Sequence, residues 1–376
     1  MKASIPSDVK RLNQQAVLNY IYQQRATTQP SIREALNLSR PTIIQIIKEF
    51  EEQSLLIKDG FVESTGGRKA TKLTFNKDCR VALGVELLAS GYEIVTLNLY
   101  GETIHSQKTA LPFKHHDDYY ASVCKSILDY IEYYSVPPDA ILGIGIVLQG
   151  LISSDGSQVT YGKILGCTGL NISTFTQHLP YPCQLFHDAE SAALDELWQS
   201  PSLKDAIYVH IRTNMSGAII VDREFLEGIE LKSGVFEHMT IVPNGKPCYC
   251  GNKGCLDTYC STTALLSSEE TLDVFFEKLR SGDDFSRGRW QQYLQFLAIA
   301  INNLHMFIDC DIILGGLLSP YLQGSDLTAL HNYIYNNTAF PAEREFIKVS
   351  RCPSSPISRG PALYYIKNYL NELIGL

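Results

Sequence analysis

The 376-residue sequence predicts a mixed α/β protein made of a small helical head and a larger body. Three observations support this division. The apolar pattern indicates helices followed by a hairpin over residues 1–76, and strands alternating with helices beyond them. The charge changes at the same boundary: residues 1–76 carry 11 basic and 7 acidic side chains, whereas the other 300 carry 21 and 33. The length also suffices for two or three domains.

Composition excludes several classes of protein. With 45% hydrophobic and 19% charged residues, the chain is neither disordered nor collagen-like. The longest apolar runs, such as 140–148, fall far short of the roughly 20 residues that a membrane helix needs. The first residues turn polar at once and offer no segment of the signal-peptide type. We therefore expect a cytoplasmic protein with no membrane partner.

Three helices are predicted in the head, over 8–24, 31–36 and 39–53. The first has apolar residues at roughly helical spacing, which are Val9, Leu12, Ala16, Leu18 and Ile21. The third begins well, because Ser39 is a good N-cap and Pro41 lies in the first turn, where its missing N–H costs nothing. Its inward face is expected to comprise Ile43, Ile46, Ile47 and Phe50.

Two short strands, 55–62 and 70–75, follow the helices and form a hairpin. Its tip contains two glycines and then Arg68 and Lys69. Three helices and a hairpin in this order predict a winged helix-turn-helix, whose third helix enters the DNA major groove. We expect Arg40, Thr42 and Gln45 to face base edges, and the two cations of the tip to reach phosphates or the minor groove. The alternative is a small helical domain that binds protein, which the basic balance and the cationic tip disfavour.

The body shows apolar strands alternating with helices. Strands are predicted at 81–86, 92–100, 140–147, 206–211, 217–221 and 311–314, and helices at 117–134, 189–198, 289–308 and 361–374. Alternation of this kind predicts an α/β architecture with mixed sheets. Two such halves with a cleft between them fit the length.

The ten cysteines fall into two groups. Six are isolated in apolar contexts, as thiols of a reducing compartment would be: Cys79, Cys124, Cys167, Cys183, Cys310 and Cys352. The others are clustered, and Cys248, Cys250 and Cys255 form a Cys₃His set with His238. Such a set leaves no open position around zinc, so we expect a structural zinc ion. Disulfides are the alternative, but three close cysteines leave one unpaired. The remaining Cys260 is expected to be a buried thiol.

The segment 237–261, EHMTIVPNGKPCYCGNKGCLDTYCS, strongly resembles the zinc-loop signature of the ROK family (repressors, open reading frames and sugar kinases). Residues 143–150 are similar to its glycine-containing strand and turn, 187–193 to its sugar-binding motif, and 311–316 to its adenosine-side strand. The head is similar to that of the family's repressor branch, which includes xylose and N-acetylglucosamine repressors. The resemblance covers nearly the whole chain and implies a two-lobed, actin-like, hexokinase-type fold.

Two glycine-rich turns that hold ATP phosphates in the family's kinases are altered here. The first has the form Asp-x-Gly-x-Thr, and this chain has Glu86 at the aspartate position and Leu88 at a glycine position. The second has the form Gly-Thr-Gly-x-Gly-Gly and reads RTNMSG over 212–217. Because only glycine lets backbone N–H groups come close to phosphates, the resemblance implies a domain without kinase activity. We interpret the retained Gly315 and Gly316 as a strand-to-helix turn.

The sugar-binding positions of the family are better preserved. The resemblance implies five sugar-binding residues, Asp188, His187, His238, Asp257 and Glu237. The first matches the catalytic base of the kinases, and a carboxylate there also accepts a hydrogen bond from a sugar hydroxyl without any chemistry. Two positions depart from the family pattern: His187 replaces asparagine, and Val235 replaces a glutamate for which the adjacent Glu237 is a candidate substitute.

The resulting hypothesis is a sugar-responsive transcriptional repressor with a kinase-like domain that has no catalytic function. Its expected partners are operator DNA and a sugar effector, and it should form a homodimer or homotetramer because two recognition helices read paired half-sites. The expected domains are 1–76, 77–195 completed by the C-terminal helix 357–376, and 196–356. Three alternatives stay open: a ROK-type carbohydrate kinase carrying a DNA-binding head, a DNA-binding protein controlled by a protein partner, and a pocket that binds nothing.

Overall fold

The computed structural model describes residues 6–61, 70–340 and 344–375. The head has three helices and three strands: α1 (Pro6–Gln24), β1 (Ala26–Thr28), α2 (Gln29–Leu36), α3 (Arg40–Glu52), β2 (Leu56–Phe61) and β3 (Thr71–Phe75). The strands form an antiparallel sheet in the order β1-β3-β2. Strand β1, only three residues long, is not predicted by the sequence pattern.

Helix α3 begins and packs as its sequence predicts. The Ser39 hydroxyl caps it by accepting a hydrogen bond from the Thr42 backbone N–H at 3.3 Å. Asn37, in the left-handed conformation with φ 49°, ends α2 two residues earlier. The turn between the two helices is therefore short. The predicted inward face, Ile43, Ile46, Ile47 and Phe50, is buried.

The predicted apolar face of α1 is only partly correct. Val9 and Leu12 are 43% and 56% exposed, and Ala16 is exposed as well. The buried side chains belong to the second half of the helix and are Val17, Leu18, Ile21 and Tyr22. The first half of the helix instead meets α3 through polar side chains, because Lys10 Nζ and Gln14 Nε2 donate to Glu49 at 2.8 and 2.6 Å. Helical spacing alone does not reveal this difference.

Two five-stranded sheets form the body. The first contains β4 (Val81–Leu88), β5 (Gly91–Asn98), β6 (Thr103–Thr109), β7 (Ile141–Leu148) and β10 (Cys183–His187), with a separate hairpin of β8 (Leu151–Ile152) and β9 (Val159–Tyr161). The second contains β11 (Ala206–Ile211), β12 (Met215–Val221), β13 (Glu224–Phe225), β14 (Asp311–Gly316) and β15 (Ile347–Val349). In each sheet three consecutive strands are antiparallel, and two later strands add in parallel beside the first. The two halves thus repeat one topology.

Nine helices of the described body accompany these sheets: α4 (Asp117–Tyr133), α5 (Ser173–Thr176), α6 (Asp188–Gln199), α7 (Asp257–Cys260), α8 (Thr262–Leu265), α9 (Leu272–Ser281), α10 (Asp284–Phe307), α11 (Gly324–Tyr335) and α12 (Arg359–Ile374). The four predicted body helices correspond to α4, α6, α10 and α12. Within the described ranges, no helix combines the length and apolar character needed to cross a bilayer.

Helices α6 and α12 cross at close range and link the parts of the molecule. A Cβ on Gly360 would lie 2.0 Å from the Ser191 carbonyl oxygen, so only glycine allows this approach. The buried Arg359 guanidinium donates to both carboxylate oxygens of Asp195, at 2.9 and 3.1 Å. Helix α6 also packs on the second sheet, whereas α12 packs on the first sheet and on α1. Helix α12 therefore belongs to the core of the head as well as to the body.

Candidate functional site

The four predicted zinc ligands come together in one loop. The donor atoms of His238, Cys248, Cys250 and Cys255 all lie within 4.8 Å of one another. The Cys248 sulfur is 3.7 Å from His238 Nδ1, and the Cys250 and Cys255 sulfurs are also 3.7 Å apart. A tetrahedron with Zn–S bonds of about 2.3 Å has edges of about 3.8 Å. The donor set and its spacing thus fit a closed, structural zinc site.

The loop folds around this cluster because glycine occupies its tight turns. Gly251 and Gly254 have φ values of 100° and 79°, and a Cβ on Gly254 would lie 1.8 Å from a backbone oxygen. Burial lowers the pKa of His238, which keeps the imidazole neutral, as a metal ligand must be. Cys260 lies beyond the cluster, is fully buried in the core beneath the second sheet, and is not a member of the donor set.

A carboxylate at the start of α6 forms the centre of the predicted sugar site. Asp188 is 2% exposed and lies at the helix N-terminus, where the helix dipole stabilises negative charge. Its Oδ2 accepts a hydrogen bond from Ser216 Oγ at 3.1 Å, and its Oδ1 is 3.2 Å from His187 Nε2. His210 Nδ1 is 3.9 Å from Oδ2. Burial lowers the pKa of His210 to about 3, so this neighbour is neutral.

Four of the five predicted sugar-binding residues line one small cavity of about 40 Å³, namely Asp188, His187, Glu237 and His238. Glu237 is 6% exposed, and its Oε2 is buried without a hydrogen-bond partner among the described residues. Burial raises the pKa of Glu237, and the nearby carboxylates add to this effect. An unsatisfied buried oxygen is costly, so a ligand hydroxyl that reaches Glu237 would remove that cost.

Asp257 is the fifth predicted sugar contact, and its carboxylate binds a neighbouring turn. It does not line the cavity around Asp188. Its Oδ1 accepts a hydrogen bond from the Met215 backbone N–H at 2.7 Å, and its Oδ2 accepts one from Asn214 Nδ2 at 3.4 Å. Its carboxylate thus anchors the turn before β12, and its predicted contact with a sugar stays a prediction.

The cavity also contains residues that the sequence analysis does not identify. Ser216 supports Asp188 from a position 28 residues later in the chain, and Tyr161, Lys163 and Tyr249 complete the wall. Ser216 belongs to the segment 212–217, which the sequence analysis describes only as a phosphate turn that has lost its glycines. No local pattern distinguishes the other three, because a wall assembled from separate loops leaves no spacing signal.

An ion pair lies on the phosphate side of the cleft. Arg212 donates to Glu86 Oε1 at 2.6 Å, and the two side chains are 17% and 6% exposed. Burial alone would lower the pKa of Arg212, but the Glu86 charge raises it overall. These residues occupy the two altered phosphate turns and line a cavity of about 400 Å³. Their pairing places side chains where the kinases of the family have glycine turns.

The three predicted DNA-contacting residues of helix α3 differ in their exposure to solvent and in their hydrogen bonds. Arg40 and Gln45 are exposed, but Thr42 is half-buried. The Thr42 hydroxyl lies 2.8 Å from Ser39 Oγ, and Gln45 Nε2 donates to Glu49 Oε1 at 3.0 Å. Of the three, only Arg40 has no hydrogen bond from its side chain to another described residue.

The two cations predicted at the hairpin tip, Arg68 and Lys69, lie outside the described residues. The strands on either side of that segment carry Lys58 and Lys72 on their exposed surfaces. The head therefore has positive side chains on the described part of the hairpin as well as on α3.

Comparison with known families and proteins supplies an independent result. The profile of the ROK family matches residues 82–327. The xylose repressor of Bacillus subtilis (strain 168) is 27% identical over 271 residues, which are 70% of this chain and 69% of that protein. The DNA-binding transcriptional dual regulator NagC of Escherichia coli (strain K12) is 25% identical over 260 residues, which are 68% and 64% of the two chains. The aligned region is thus about two thirds of each relative.

Solved structures show the same fold. A crystal structure of a ROK family transcriptional regulator, a homolog of the E. coli MLC protein, matches with a TM-score of 0.75 at 20% identity and covers 97% of this chain and 98% of that one. A ROK family glucokinase from Streptomyces griseus matches with a TM-score of 0.65 at 17% identity, covering 75% of this chain and 98% of the kinase. The regulator match therefore includes a part of this chain that the kinase match leaves out.

Proposed function

We propose that this chain, which belongs to the ROK family, is a sugar-responsive transcriptional repressor whose kinase-like body binds its effector without phosphorylating it. One contrast within the cleft carries the proposal. Asp188 is buried, oriented by Ser216 and directed to a cavity, whereas Glu86 and Arg212 pair where the family's kinases hold ATP phosphates. A recognition site without a phosphate site suits a sensor better than an enzyme.

The proposed DNA reader is the head, a winged helix-turn-helix. Support comes from the order of its helices and strands, the short α2–α3 turn and the exposed Arg40 and Gln45. The similarity to xylose repressors and NagC supports the same role. Operator DNA would be bound by a homodimer or homotetramer, because paired recognition helices match paired half-sites. In this proposal Arg68 and Lys69 contact the DNA backbone or minor groove.

The proposed domain division follows the boundaries expected from the sequence. The head comprises 1–76, the first lobe comprises 77–195 together with 357–376, and the second lobe comprises 196–356. The ligand cavity lies between the lobes, since α6 carries Asp188 and the second lobe carries Ser216, Glu237 and His238.

Zinc would be held by His238, Cys248, Cys250 and Cys255, as their spacing supports. The ion supplies a structural cross-link and no chemistry, because four protein ligands leave it no open position. The role of this chain's own residues is positional. The cross-linked loop holds Glu237 and His238 in the wall of the cavity, facing Asp188.

The proposed coupling between sugar and DNA runs through two helices. Asp188 begins α6, and α6 is joined to α12 by the Arg359–Asp195 ion pair and the close approach at Gly360. Helix α12 in turn packs on α1 of the head. A ligand changes DNA affinity only if it binds the two conformations unequally. Closure of the lobes around a sugar would move α6, and α12 would carry that motion to the head.

The test compares operator affinity with and without sugar. An operator is first selected from random double-stranded DNA with the purified protein, and a thermal-shift screen of monosaccharides identifies a ligand. We expect that ligand to lower the operator affinity of the wild type by about 5–150-fold. Asp188→Ala should bind the operator equally well and lose the response, whereas the exposed control Asp129→Ala should keep it.

Two further results separate this proposal from its alternatives. Gln45→Ala should weaken operator binding by about 1–3 kcal/mol, because it removes the proposed base contact. It should leave sugar binding unchanged, because Gln45 and its hydrogen-bond partner Glu49 both lie on α3 of the head. An equal sugar response in wild type and Asp188→Ala would show that the effector binds elsewhere. Sugar-dependent ATP consumption that disappears in Asp188→Ala would instead establish the kinase alternative.

A further inference from the structure

We propose that a second sugar subsite adjoins the cavity around Asp188, and that the effector is a neutral saccharide of at least two units. This inference rests on the proposed function and names the class of ligand. The subsite is a cavity of about 340 Å³, much larger than the 40 Å³ cavity around Asp188. Its volume falls in the range of sites that bind small organic molecules.

The two cavities are neighbours. His187 and Leu151 line both of them. Since His187 Nε2 lies 3.2 Å from Asp188 Oδ1, a sugar ring that contacts this carboxylate also lies beside His187. A second ring linked to the first would extend past His187 into the larger cavity. One monosaccharide bound at Asp188 would leave that space to water.

The walls of the larger cavity have the chemistry that a sugar ring needs. Gln184, Asn368 and Asn371 supply amide groups, each with donors and acceptors for hydroxyl groups. Phe186 and Tyr364 supply aromatic surface, with ring centroids 5.1 Å apart in an edge-to-face arrangement. Apolar and aromatic surface combined with a few polar groups is typical of small-molecule sites.

The charges of this cavity disfavour a phosphorylated ligand. The Arg223 guanidinium donates to the backbone carbonyls of residues 197, 200, 201 and 203, and Lys367 pairs with Glu224 at 3.1 Å. Both cations are therefore already bound to other groups of the protein. Glu190 and Glu227 add negative charge to the same wall. An anionic group would meet these carboxylates without a free cation to compensate, so a neutral saccharide is preferred.

The position of the subsite also gives the second unit a role in signalling. Tyr364, Lys367, Asn368 and Asn371 all belong to α12, which packs on α1 of the head. The residues around Asp188 do not include any from α12. A second sugar unit would thus contact the helix that carries the head directly, whereas a monosaccharide would act on it only through α6.

Calorimetric titration of the full-length protein tests this inference. The probes are xylose, glucose and N-acetylglucosamine, their β-1,4-linked dimers xylobiose, cellobiose and N,N′-diacetylchitobiose, and glucose 6-phosphate. We expect one dimer to bind at least about tenfold more tightly than its monomer, and glucose 6-phosphate to bind no more tightly than glucose. Asn368→Trp, which fills the larger cavity from the exposed surface of α12, should reduce the dimer's affinity to that of the monomer and leave the monomer's affinity unchanged.

A matched control and a second variant complete the test. Glu372→Trp lies one turn further along α12, is exposed and does not line the cavity, so it should change neither affinity. Ser154→Trp enters the cavity from the opposite wall and replaces Asn368→Trp if that variant does not fold. If monomers bind as tightly as their dimers, or if the tryptophan lowers both affinities equally, the second subsite is refuted while the sugar sensor stands. If no saccharide binds, the proposed function fails and this inference falls with it.

Discussion

The proposed sugar side and the phosphate side of the interlobe cleft each contain a buried carboxylate, but the two carboxylates have different partners. On the sugar side, Asp188 has a serine hydroxyl and a histidine as neighbours, and it lines a cavity. On the phosphate side, Glu86 is neutralised by the arginine opposite, Arg212. The first arrangement leaves hydrogen-bonding capacity for a ligand, whereas the second consumes it. In the proposed function, ligand recognition is thus separated from phosphate binding within one cleft.

The two sides also differ in what holds the lobes together. Glu86 lies on the first sheet and Arg212 follows the first strand of the second sheet, so their ion pair links the lobes directly. Asp188 and Ser216 are joined across the same boundary by a single hydrogen bond of 3.1 Å, which the serine hydroxyl donates to the carboxylate. We therefore expect the two lobes to stay joined at the Glu86–Arg212 pair, which we call the fixed edge of the cleft. The lobes would then move relative to each other mainly on the sugar side.

The largest change in stability should come from breaking the Glu86–Arg212 ion pair at the fixed edge. Arg212→Met leaves Glu86 buried without its partner, which should lower the free energy of unfolding by about 3–5 kcal/mol. The double variant Glu86→Leu with Arg212→Met removes both charges and should recover most of that loss. Urea denaturation measures both. Lys125→Met, which breaks the exposed pair with Asp129 on α4, should cost less than about 1 kcal/mol. A single-variant loss no larger than this control would show that the pair does not hold the lobes.

The next largest effect should be a loss of sugar affinity when the zinc loop on the sugar side is no longer cross-linked. Cys250→Ser should reduce the zinc content from one ion per chain to none and lower sugar affinity by about 10–100-fold, because Glu237 and His238 lose their fixed positions. Elemental analysis and calorimetry measure the two quantities. Cys79→Ser changes a half-buried thiol outside the cluster and should alter neither. Full sugar affinity in a zinc-free Cys250→Ser protein would disprove the positional role of the metal.

The smallest effect concerns His210, which lines the phosphate-side cavity and also approaches Asp188. Burial lowers the pKa of His210 to about 3 in the folded protein, whereas an unfolded histidine titrates near 6.5. Between these values the unfolded chain binds one more proton, so stability is greatest above pH 6.5. It should fall by about 1.4 kcal/mol for each pH unit below that value.

His210→Gln should remove this part of the pH dependence. The measurement is urea denaturation of both proteins at pH 7.5 and pH 5.5, with the exposed His178→Gln as the matched control. The difference in stability between the two pH values should be smaller in His210→Gln by about 1.4 kcal/mol. An unchanged difference would mean that His210 is protonated in the folded state and pairs with Asp188 as a cation.

Local features of this molecule are predictable from its sequence. The Ser39 cap, the inward face of α3 and the bounds of β11 all follow from residues that are close along the chain. The Cys₃His cluster is found for the same reason, since all four of its residues lie within 18 positions of the chain. Spacing along the chain is informative wherever the chain itself brings the atoms together.

Features that join distant segments are not predictable in this way. Glu86 and Arg212 are 126 positions apart, and the sequence shows only that each replaces a residue of a phosphate turn. Asp257 matches a family position, yet its orientation depends on backbone N–H groups of a neighbouring turn. The exposure of Leu12 depends on which residues of other elements lie beside the first half of α1. In each case the contact that determines the structure joins residues that are distant along the chain, so local sequence spacing does not reveal it.

The sharing of α12 between head and body also determines when the head is completed during synthesis. The head is made before the body, but its core includes Leu363, Ile366 and Leu370, which follow the body along the chain. At about 5–20 residues per second, roughly 15–60 s separate residue 75 from residue 370 on the ribosome. Throughout that interval the nascent head lacks its final apolar partner. A chain released before α12 is made would carry a head whose core lacks these three apolar side chains.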